Sequence, residues 1–346
     1  MYNIGMKGWQ ITEKGKLEQI NKIESLSGVD SVKIKITRTL ITEEDVAEFS
    51  GEDKSVKFPI IPTRSAVGQI TELAQDSPYL SKGARVFLSP VKPCGKCYHC
   101  TSGKPSECYD FDIAGRTSDG FLKDFAVLDS SNVYPLPPTV KDDDAVYIDY
   151  VTLAIAAIDK LKIEKGEHVA IFGSSVLGCI VAQLIIYYQG VPILIGNDEN
   201  SLLLAKKSGI YYTIKAGNRT EKEITTLTGG RMVGKIVYLS RSGISPDLAY
   251  KVAAPSARVA LVGYSYPNLK IPFGAAMAKQ LTNICVTNGY GVAEAAINIL
   301  SNKAIDLTNY KLAVTKMEAI EDNFAAGLKD YENGKPVSNI LVNMLG

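Results

Sequence analysis

The sequence predicts a two-domain α/β protein, in which a β-rich, barrel-like domain is followed by a doubly wound parallel sheet. Three observations predict this. The length of 346 residues favours two cores rather than one. Residues up to about 140 form short β-rich segments punctuated by Gly and Pro. From Glu167 the pattern changes to apolar strand, glycine turn, helix and strand, which is the pattern of a βαβ unit.

In the first domain the β-rich segments are 32–37, 65–73 and 85–88. The run 142–161 contains neither Gly nor Pro and begins with Asp, which predicts a helix between the two domains.

The second domain begins with a strand in HVAIFG, a helix in SSVLGCIVAQLIIYYQG, a strand in VPILIG and a helix in ENSLLLAKKSG. Further apolar strands are expected at 235–239 and 258–262, so a parallel sheet should extend over 152–285. From 286 a helix at 292–301 and a strand-like segment at 338–344 would return to the first domain.

Composition excludes several classes of protein. Lys and Arg number 38 against 37 Asp and Glu, so no basic excess points to a nucleic-acid partner. The apolar stretches are too short or too interrupted to span a bilayer, and the first ten residues contain no apolar signal core. We therefore expect a cytoplasmic protein without a membrane partner.

Four of the six cysteines lie within fifteen residues, in C-G-K-C-Y-H-C-T-S-G-K-P-S-E-C. Disulfide frameworks spread their cysteines, so Cys94, Cys97, Cys100 and Cys108 predict one tetrahedral zinc instead. Four sulfurs would close its coordination shell, which makes the ion structural. Reduced buried thiols and an iron–sulfur cluster are the alternatives. His99 is expected at the surface and His168 in a strand, so no histidine remains for a catalytic metal.

The cysteine lobe followed by the βαβ unit resembles the zinc-type medium-chain alcohol dehydrogenases, and the resemblance covers nearly the whole chain. It implies a GroES-like barrel over 1–151, with the zinc lobe at 94–108, completed by the return segment 286–346. The Rossmann domain would be 152–285. It also implies a small-molecule substrate and a homodimer or homotetramer.

The resemblance implies NAD or NADP as the cofactor, bound at the turn G-S-S-V-L-G. Ser175 stands where the family has the middle glycine of G-x-G-x-x-G. Its side chain leaves less room for a pyrophosphate, but the backbone N–H donors of the turn remain. The alternative is an ordinary strand-to-helix turn that binds nothing. The candidate residues are Gly173, Ser174, Ser175, Val176, Leu177 and Gly178.

The end of the next strand bears on the choice between the two nucleotides. An acid there favours NAD, but this chain has Gly196, as NADP-preferring relatives do. Asn197 and Asp198 follow instead of Arg or Ser, and Asp198 disfavours a 2′-phosphate. The choice stays open.

The catalytic-zinc ligands of the family are replaced at nearly every position. By resemblance, the cysteine position is Thr42, and the Gly-His-Glu positions are Thr63, Arg64 and Ser65. The proton-relay hydroxyl becomes Glu44, a later histidine becomes Ala47, and only Asp149 keeps an acid. Arg supplies no lone pair and hydroxyls are poor ligands, so this set should not hold zinc.

Arg64 would instead place a fixed cation near the missing metal, with Asp149 as its expected partner. It could polarise a carbonyl, with Thr42 and Glu44 as further catalytic candidates. The alternative is that the ion pair occupies a site that has no catalytic activity. Three functions follow: a zinc-independent NAD(P) oxidoreductase acting on a polyol, sugar or aldehyde, a non-catalytic dinucleotide-binding or scaffold protein, and a zinc dehydrogenase with ligands from elsewhere.

Overall fold

The computed structural model describes residues 5–26, 28–264, 269–310, 313–333 and 335–345. The chain divides into two compact units, Met1–Asp149 with Leu312–Gly346, and Tyr150–Lys311. The chain therefore rejoins the first unit later than residue 286, where the sequence placed the start of the return segment. The reason is local, because the Gln183 side chain exchanges two hydrogen bonds with the backbone of Asp306 and so holds that segment to the second unit.

The described helices and strands follow in chain order: β1 Gly5–Glu13, β2 Lys16–Ile23, β3 Ser31–Ile41, α1 Glu43–Phe49, β4 Ser65–Leu73, β5 Arg85–Leu88, β6 Val91–Lys92, α2 Tyr98–Thr101, β7 Asp112–Ile113, β8 Phe125–Asp129, β9 Val133–Pro135, α3 Asp142–Ala145, α4 Ile148–Leu161, β10 His168–Phe172, α5 Val176–Tyr187, β11 Val191–Gly196, α6 Glu199–Lys207, β12 Tyr212–Lys215, α7 Thr220–Leu227, β13 Val233–Leu239, α8 Pro246–Val252, β14 Ala253–Val262, α9 Phe273–Ala278, β15 Thr282–Val286, α10 Ala293–Ser301, β16 Ala313–Lys316, α11 Ile320–Glu332 and β17 Ile340–Asn343. Short 3-10 helices lie at Pro105–Glu107, Ser130–Asn132 and Met317–Ala319.

The first unit is built on a seven-stranded sheet in the order β16-β17-β3-β4-β5-β9, with β8 also paired to β3. Ile34 and Ile36 of β3 are fully buried and pack in one apolar core with Phe324 of α11. The antiparallel pairing of β3 with β4 sets Leu40 opposite Ser65. This register brings the start of β4 beside α1, which follows β3 directly.

The second unit contains a six-stranded parallel sheet in the order β12-β11-β10-β13-β14-β15. Counted from β10 this is 3-2-1-4-5-6, the strand order of dinucleotide-binding domains. The central strand β10 is apolar because it is covered on both faces, and Val169, Ala170, Ile171 and Phe172 are fully buried. The expected β-rich first domain and doubly wound parallel sheet are confirmed.

Several predicted elements coincide with observed ones, including 65–73 with β4 and 85–88 with β5. The single helix expected over 142–161 is divided into α3 and α4, and Val146 caps the end of α3. Its carbonyl oxygen accepts a hydrogen bond from the Ser65 hydroxyl of β4. Among the described residues, no helix combines the length and the apolar character needed to cross a membrane.

Candidate functional site

The four clustered cysteines converge as the sequence predicts. The sulfur atoms of Cys94, Cys97, Cys100 and Cys108 all lie within 4.8 Å of one another. Tetrahedral zinc–thiolate bonds of about 2.3 Å would separate the sulfurs by about 3.8 Å. Cys97 and Cys108 are 3.9 Å apart, and Cys94 and Cys108 are 3.6 Å apart. The donor set and spacing therefore fit one zinc ion with a closed shell.

The backbone around the lobe supports thiolates. The amides of Cys94 and Asp110 each lie 3.4 Å from the Cys108 sulfur, to which they donate. A hydrogen bond from the Cys100 backbone lowers the pKa of the Cys97 thiol to about 6, whereas burial raises the pKa of the Cys100 thiol to about 12. His99 lies apart from these sulfurs, with Nδ1 placed 3.2 Å from a carboxylate oxygen of Glu107 at the surface. The lobe thus needs no fifth donor.

The turn between β10 and α5 has the tight geometry expected of a dinucleotide-binding loop. Gly173 adopts φ 122°, a conformation that disfavours residues with a side chain. A Cβ at Gly178 would lie 2.0 Å from the carbonyl oxygen of Gly173, so only glycine lets α5 begin this close to the strand. Gly173 thus forms the turn and Gly178 allows the close packing of strand and helix, while nucleotide binding at this loop stays a prediction.

The N-terminus of α5 fits a phosphate group. Ser175 is its N-cap residue, is exposed, and makes no capping hydrogen bond with its side chain. Val176 and Leu177 form the first turn, whose N–H groups point out of a helix of 12 residues. Such a terminus could hold the pyrophosphate of a dinucleotide.

The end of β11 lies beside this turn. A Cβ at Gly196 would lie 2.1 Å from Oγ of Ser174, so the family's acid has no room at this position. Asp198 caps α6, because its carboxylate accepts from the Ser201 amide at 2.7 Å. The Asn197 side chain donates to the carbonyl oxygen of Gly243 at 2.7 Å. Ser201 was not among the predicted residues, but its hydroxyl lies 2.7 Å from that of Ser174.

At the start of α1, the backbone amide and the hydroxyl of Thr42 are hydrogen-bonded to another residue of the same helix. Its amide and hydroxyl both donate to Oδ2 of Asp45, at 2.8 and 2.6 Å. Oδ1 of the same carboxylate accepts from the amide of Thr63 at 3.0 Å. Glu44 is buried on the first turn of α1, and Asp149 is buried on the first turn of α4.

Arg64 is buried and contacts two carboxylates of α1. Nη1 donates to Oε1 of Glu48 at 2.8 Å, and Nη2 lies 3.9 Å from Oδ1 of Asp45. An ion pair between Arg64 and Asp149 stays a prediction, whereas Asp45 and Glu48 were not among the candidate residues. Their spacing of three residues, which puts both on one face of a helix, was the signal that could have identified them.

Burial dominates the electrostatics of this group. It raises the pKa of Glu48 to about 7, against the opposing effect of the Arg64 charge. It also raises the pKa of Asp45, which Arg64 and Thr42 partly offset. Burial opposes the charge on Arg64, but Glu48 and Asp45 outweigh it and raise the Arg64 pKa well above its ordinary value. Arg64 is therefore a permanent cation.

Thr63 occupies the strained backbone before Arg64. Its φ of 71° is the left-handed conformation, which a β-branched residue rarely adopts. Its carbonyl oxygen would lie 2.2 Å from a Cβ at Gly120 and 3.0 Å from one at Gly115, so these glycines make room for it. Strain of this kind persists only where surrounding contacts fix the backbone.

These residues do not fit the catalytic zinc of the related enzymes. Thr42 and Ser65 use their hydroxyls within the fold, and Arg64 brings positive charge. In the part of the chain that the structure describes, Cys94, Cys97, Cys100 and Cys108 are the grouping of metal-binding side chains that converges. No step of a reaction is therefore assigned to a second zinc.

Comparison with known proteins agrees with this architecture. Residues 28–138 match the model of the alcohol dehydrogenase GroES-like domain. The chain is 25% identical over 304 residues to an uncharacterized zinc-type alcohol dehydrogenase-like protein of Haemophilus influenzae, covering 87% of this chain and 89% of that protein. It is 28% identical to a sorbitol dehydrogenase of Halalkalibacterium halodurans, covering 87% and 88%.

A solved structure shows the same fold. The chain superposes with a TM-score of 0.85 on a short chain alcohol dehydrogenase from Escherichia coli CFT073, complexed with the cofactor NADH. The two are 21% identical, and the match covers 98% of this chain and 99% of the other.

Proposed function

We propose that the chain, whose residues 28–138 match the alcohol dehydrogenase GroES-like domain, is a zinc-type medium-chain dehydrogenase and an NAD(P)-dependent oxidoreductase of the alcohol dehydrogenase type. Its substrate is a small alcohol or carbonyl compound, such as a polyol, sugar or aldehyde, and it works without a catalytic zinc. The sorbitol dehydrogenase among its relatives supports this substrate class. The observation that carries the proposal is the β10–α5 turn, where a Cβ at Gly178 has no room.

In this proposal the bound nicotinamide supplies the carbon that accepts or donates hydride. The chain holds the dinucleotide through the first turn of α5, with Gly173, Ser174 and Ser175 at the pyrophosphate. Gly196, Asn197 and Asp198 lie at the end of β11, where the adenosine ribose binds in Rossmann domains. One structural zinc is held by the four clustered cysteines.

The catalytic candidates are Arg64, Thr42, Glu44 and Asp149. Arg64 takes the role of the absent metal charge and donates hydrogen bonds to the substrate oxygen, which polarises a carbonyl. The ion pair with Glu48 supports this role, because it fixes the direction of the guanidinium.

One observation favours a second function, that of a non-catalytic dinucleotide-binding or scaffold protein. Thr42 donates to Asp45, and Arg64 contacts Glu48 and Asp45, so these side chains are already engaged within the fold. A buried ion pair of this kind can also serve only to compensate its own charges.

The experiment that separates the functions measures zinc per chain together with NADH and NADPH binding by fluorescence, and then turnover with polyols, sugars and aldehydes. One zinc, nucleotide binding and turnover support the zinc-independent oxidoreductase. Nucleotide binding without turnover supports the non-catalytic protein. Two zinc ions per chain would contradict the zinc-free site, and one zinc without nucleotide binding would contradict the dehydrogenase.

We further propose a homodimer or homotetramer joined through β15, which ends the order of the parallel sheet. Thr282, Asn283 and Cys285 of this strand are exposed, and the strand carries no charged residue or proline to block pairing. The neighbouring Phe273 and Met277 are also largely exposed. A self-complementary edge suits a twofold axis.

A cytoplasmic location is also proposed. The structure contains six free cysteines and no disulfide within its described residues, which suits a reducing compartment.

A further inference from the structure

Two buried carboxylates on one face of α1, Asp45 and Glu48, flank Arg64 and have no proton-transfer role in the proposed function. Asp45 and Glu48 are 0% and 1% exposed, and Arg64, which contacts both, is 4% exposed. If all three were ionised, the contacting side chains would carry one excess negative charge. An excess charge in the interior is costly, so a proton bound to one of the two carboxylates is favoured.

The hydrogen bonds indicate which carboxylate binds the proton. Both oxygens of Asp45 accept hydrogen bonds, from Thr42 and from the Thr63 amide, and these donors stabilise its charge. Only one oxygen of Glu48 accepts a hydrogen bond, and this is Oε1, which accepts from Arg64. Oε2 is buried, and within the described residues it receives no hydrogen bond. A buried oxygen without a donor is the natural position for a proton.

We propose that Glu48 is the proton-exchanging residue of the Arg64 site, an inference that rests on the proposed oxidoreductase function. Oε1 holds the guanidinium, while Oε2 takes the hydroxyl proton of an alcohol bound beside Arg64. In this step the O–H bond of the alcohol breaks as an O–H bond forms on Glu48. The C–H bond on the same carbon would break as its hydride passes to oxidised nicotinamide, and a carbonyl group would be left. In the reverse direction Glu48 returns the proton to the carbonyl oxygen.

The surroundings of Glu48 support this assignment. Burial raises its pKa to about 7, which suits an acid–base group that works near neutral pH. The charges acting on it are those of Arg64, Asp45 and, more weakly, Arg116, which pairs with Asp53.

The helix α11 contacts α1 through apolar residues. Phe324 of α11 packs edge-to-face on Phe49 with ring centroids 5.3 Å apart, and Gly327 faces Val46.

Infrared spectroscopy tests the proposal on the protein alone. The protonated-carboxyl band is followed through a pH titration of the natural protein, Glu48→Gln and the control Glu72→Gln, which alters an exposed glutamate of β4. We expect a band that disappears with a midpoint near pH 7, is missing in Glu48→Gln and persists in Glu72→Gln. An unchanged band in Glu48→Gln would overturn the proposal. Should Glu48→Gln not fold, Arg64→Met should raise the midpoint, and an unmoved midpoint would contradict it.

The kinetic test uses an alcohol that reduces NAD or NADP in the turnover screen. Glu48→Gln keeps an acceptor for Arg64 but takes no proton, so kcat should fall about 100-fold with KM nearly unchanged, and Glu48→Asp should restore part of the rate. Full activity in Glu48→Gln would exclude the role. If no alcohol is turned over, the oxidoreductase proposal itself fails, whatever the infrared result.

Discussion

The hydroxyl oxygens of Thr39 and Thr63 lie 2.7 Å apart in the core of the first unit, where the end of β3 passes the residues before β4. Thr39 also donates to the carbonyl oxygen of Ser65 at 2.8 Å. These contacts, with the hydrogen bond from the Thr63 amide to Asp45, hold the left-handed backbone of Thr63 immediately before Arg64.

The strain at Thr63 predicts an unusual order of substitutions. Glycine relieves a φ of 71° and alanine does not, so Thr63→Gly should be more stable than Thr63→Ala by about 1 kcal/mol. Urea unfolding of both variants measures the difference. At Thr71, on the regular strand β4, the alanine variant should be the more stable of the pair. The same order at both positions would contradict the strain.

The raised pKa of Glu48 predicts a pH dependence of stability. Folded Glu48 keeps a proton that the unfolded chain loses between pH 4.5 and about 7, so this group makes the fold less stable as pH rises through that range. Its contribution is at most about 3 kcal/mol. Unfolding at pH 5 and pH 8 should therefore differ less in Glu48→Gln than in the natural protein. Glu72→Gln should keep the full difference, and equal behaviour of the two variants would refute the effect.

The cysteine lobe predicts that the protein binds a structural zinc ion. Cys100→Ser removes one of four sulfurs, so the protein should lose its zinc and several degrees of Tm, because metal binding contributes to folding. Zinc per chain and thermal unfolding measure both. Cys285→Ser changes an exposed cysteine outside the lobe and should keep one zinc. Retention of zinc by Cys100→Ser would show that the four sulfurs are not the ligands.

The tight β10–α5 turn predicts that Gly178→Ala is harmful, although alanine normally favours a helix. The added methyl group would lie 2.0 Å from the Gly173 carbonyl oxygen, so α5 must move away from the strand. We expect weaker NADH binding by fluorescence and a lower Tm. Gly274 of α9 has open space around it, so Gly274→Ala should leave NADH binding unchanged and should not lower the Tm. Normal NADH binding by Gly178→Ala would show that this turn does not bind the nucleotide.

The β15 edge predicts an association that a charge disrupts. Cys285→Lys places an ammonium group on this exposed strand and should shift the protein to a smaller species in light scattering after size exclusion. Cys285→Ser changes the same position without a charge and should keep the natural size. A natural protein that runs as a monomer would rule out the interface.

The sequence by itself determined the features that depend on neighbouring residues. The four cysteines converge because they lie within fifteen residues and the chain between them has little freedom. The βαβ unit was readable from its periodicity, because apolar runs, a glycine turn and a helical pattern follow one another directly. The resemblance to the dehydrogenases came from these two local motifs.

Only the tertiary structure decided the surroundings of Arg64. Its partners come from α1, 16 residues earlier in the case of Glu48, through the register that sets Leu40 opposite Ser65. Four residues of α1 carry a carboxylate: Glu43, Glu44, Asp45 and Glu48. Their positions around the helix axis decide that Asp45 and Glu48 contact Arg64. The same packing forces Thr63 into its left-handed conformation. Charge pairing and backbone strain depend on three-dimensional distance, which this stretch of sequence does not encode locally.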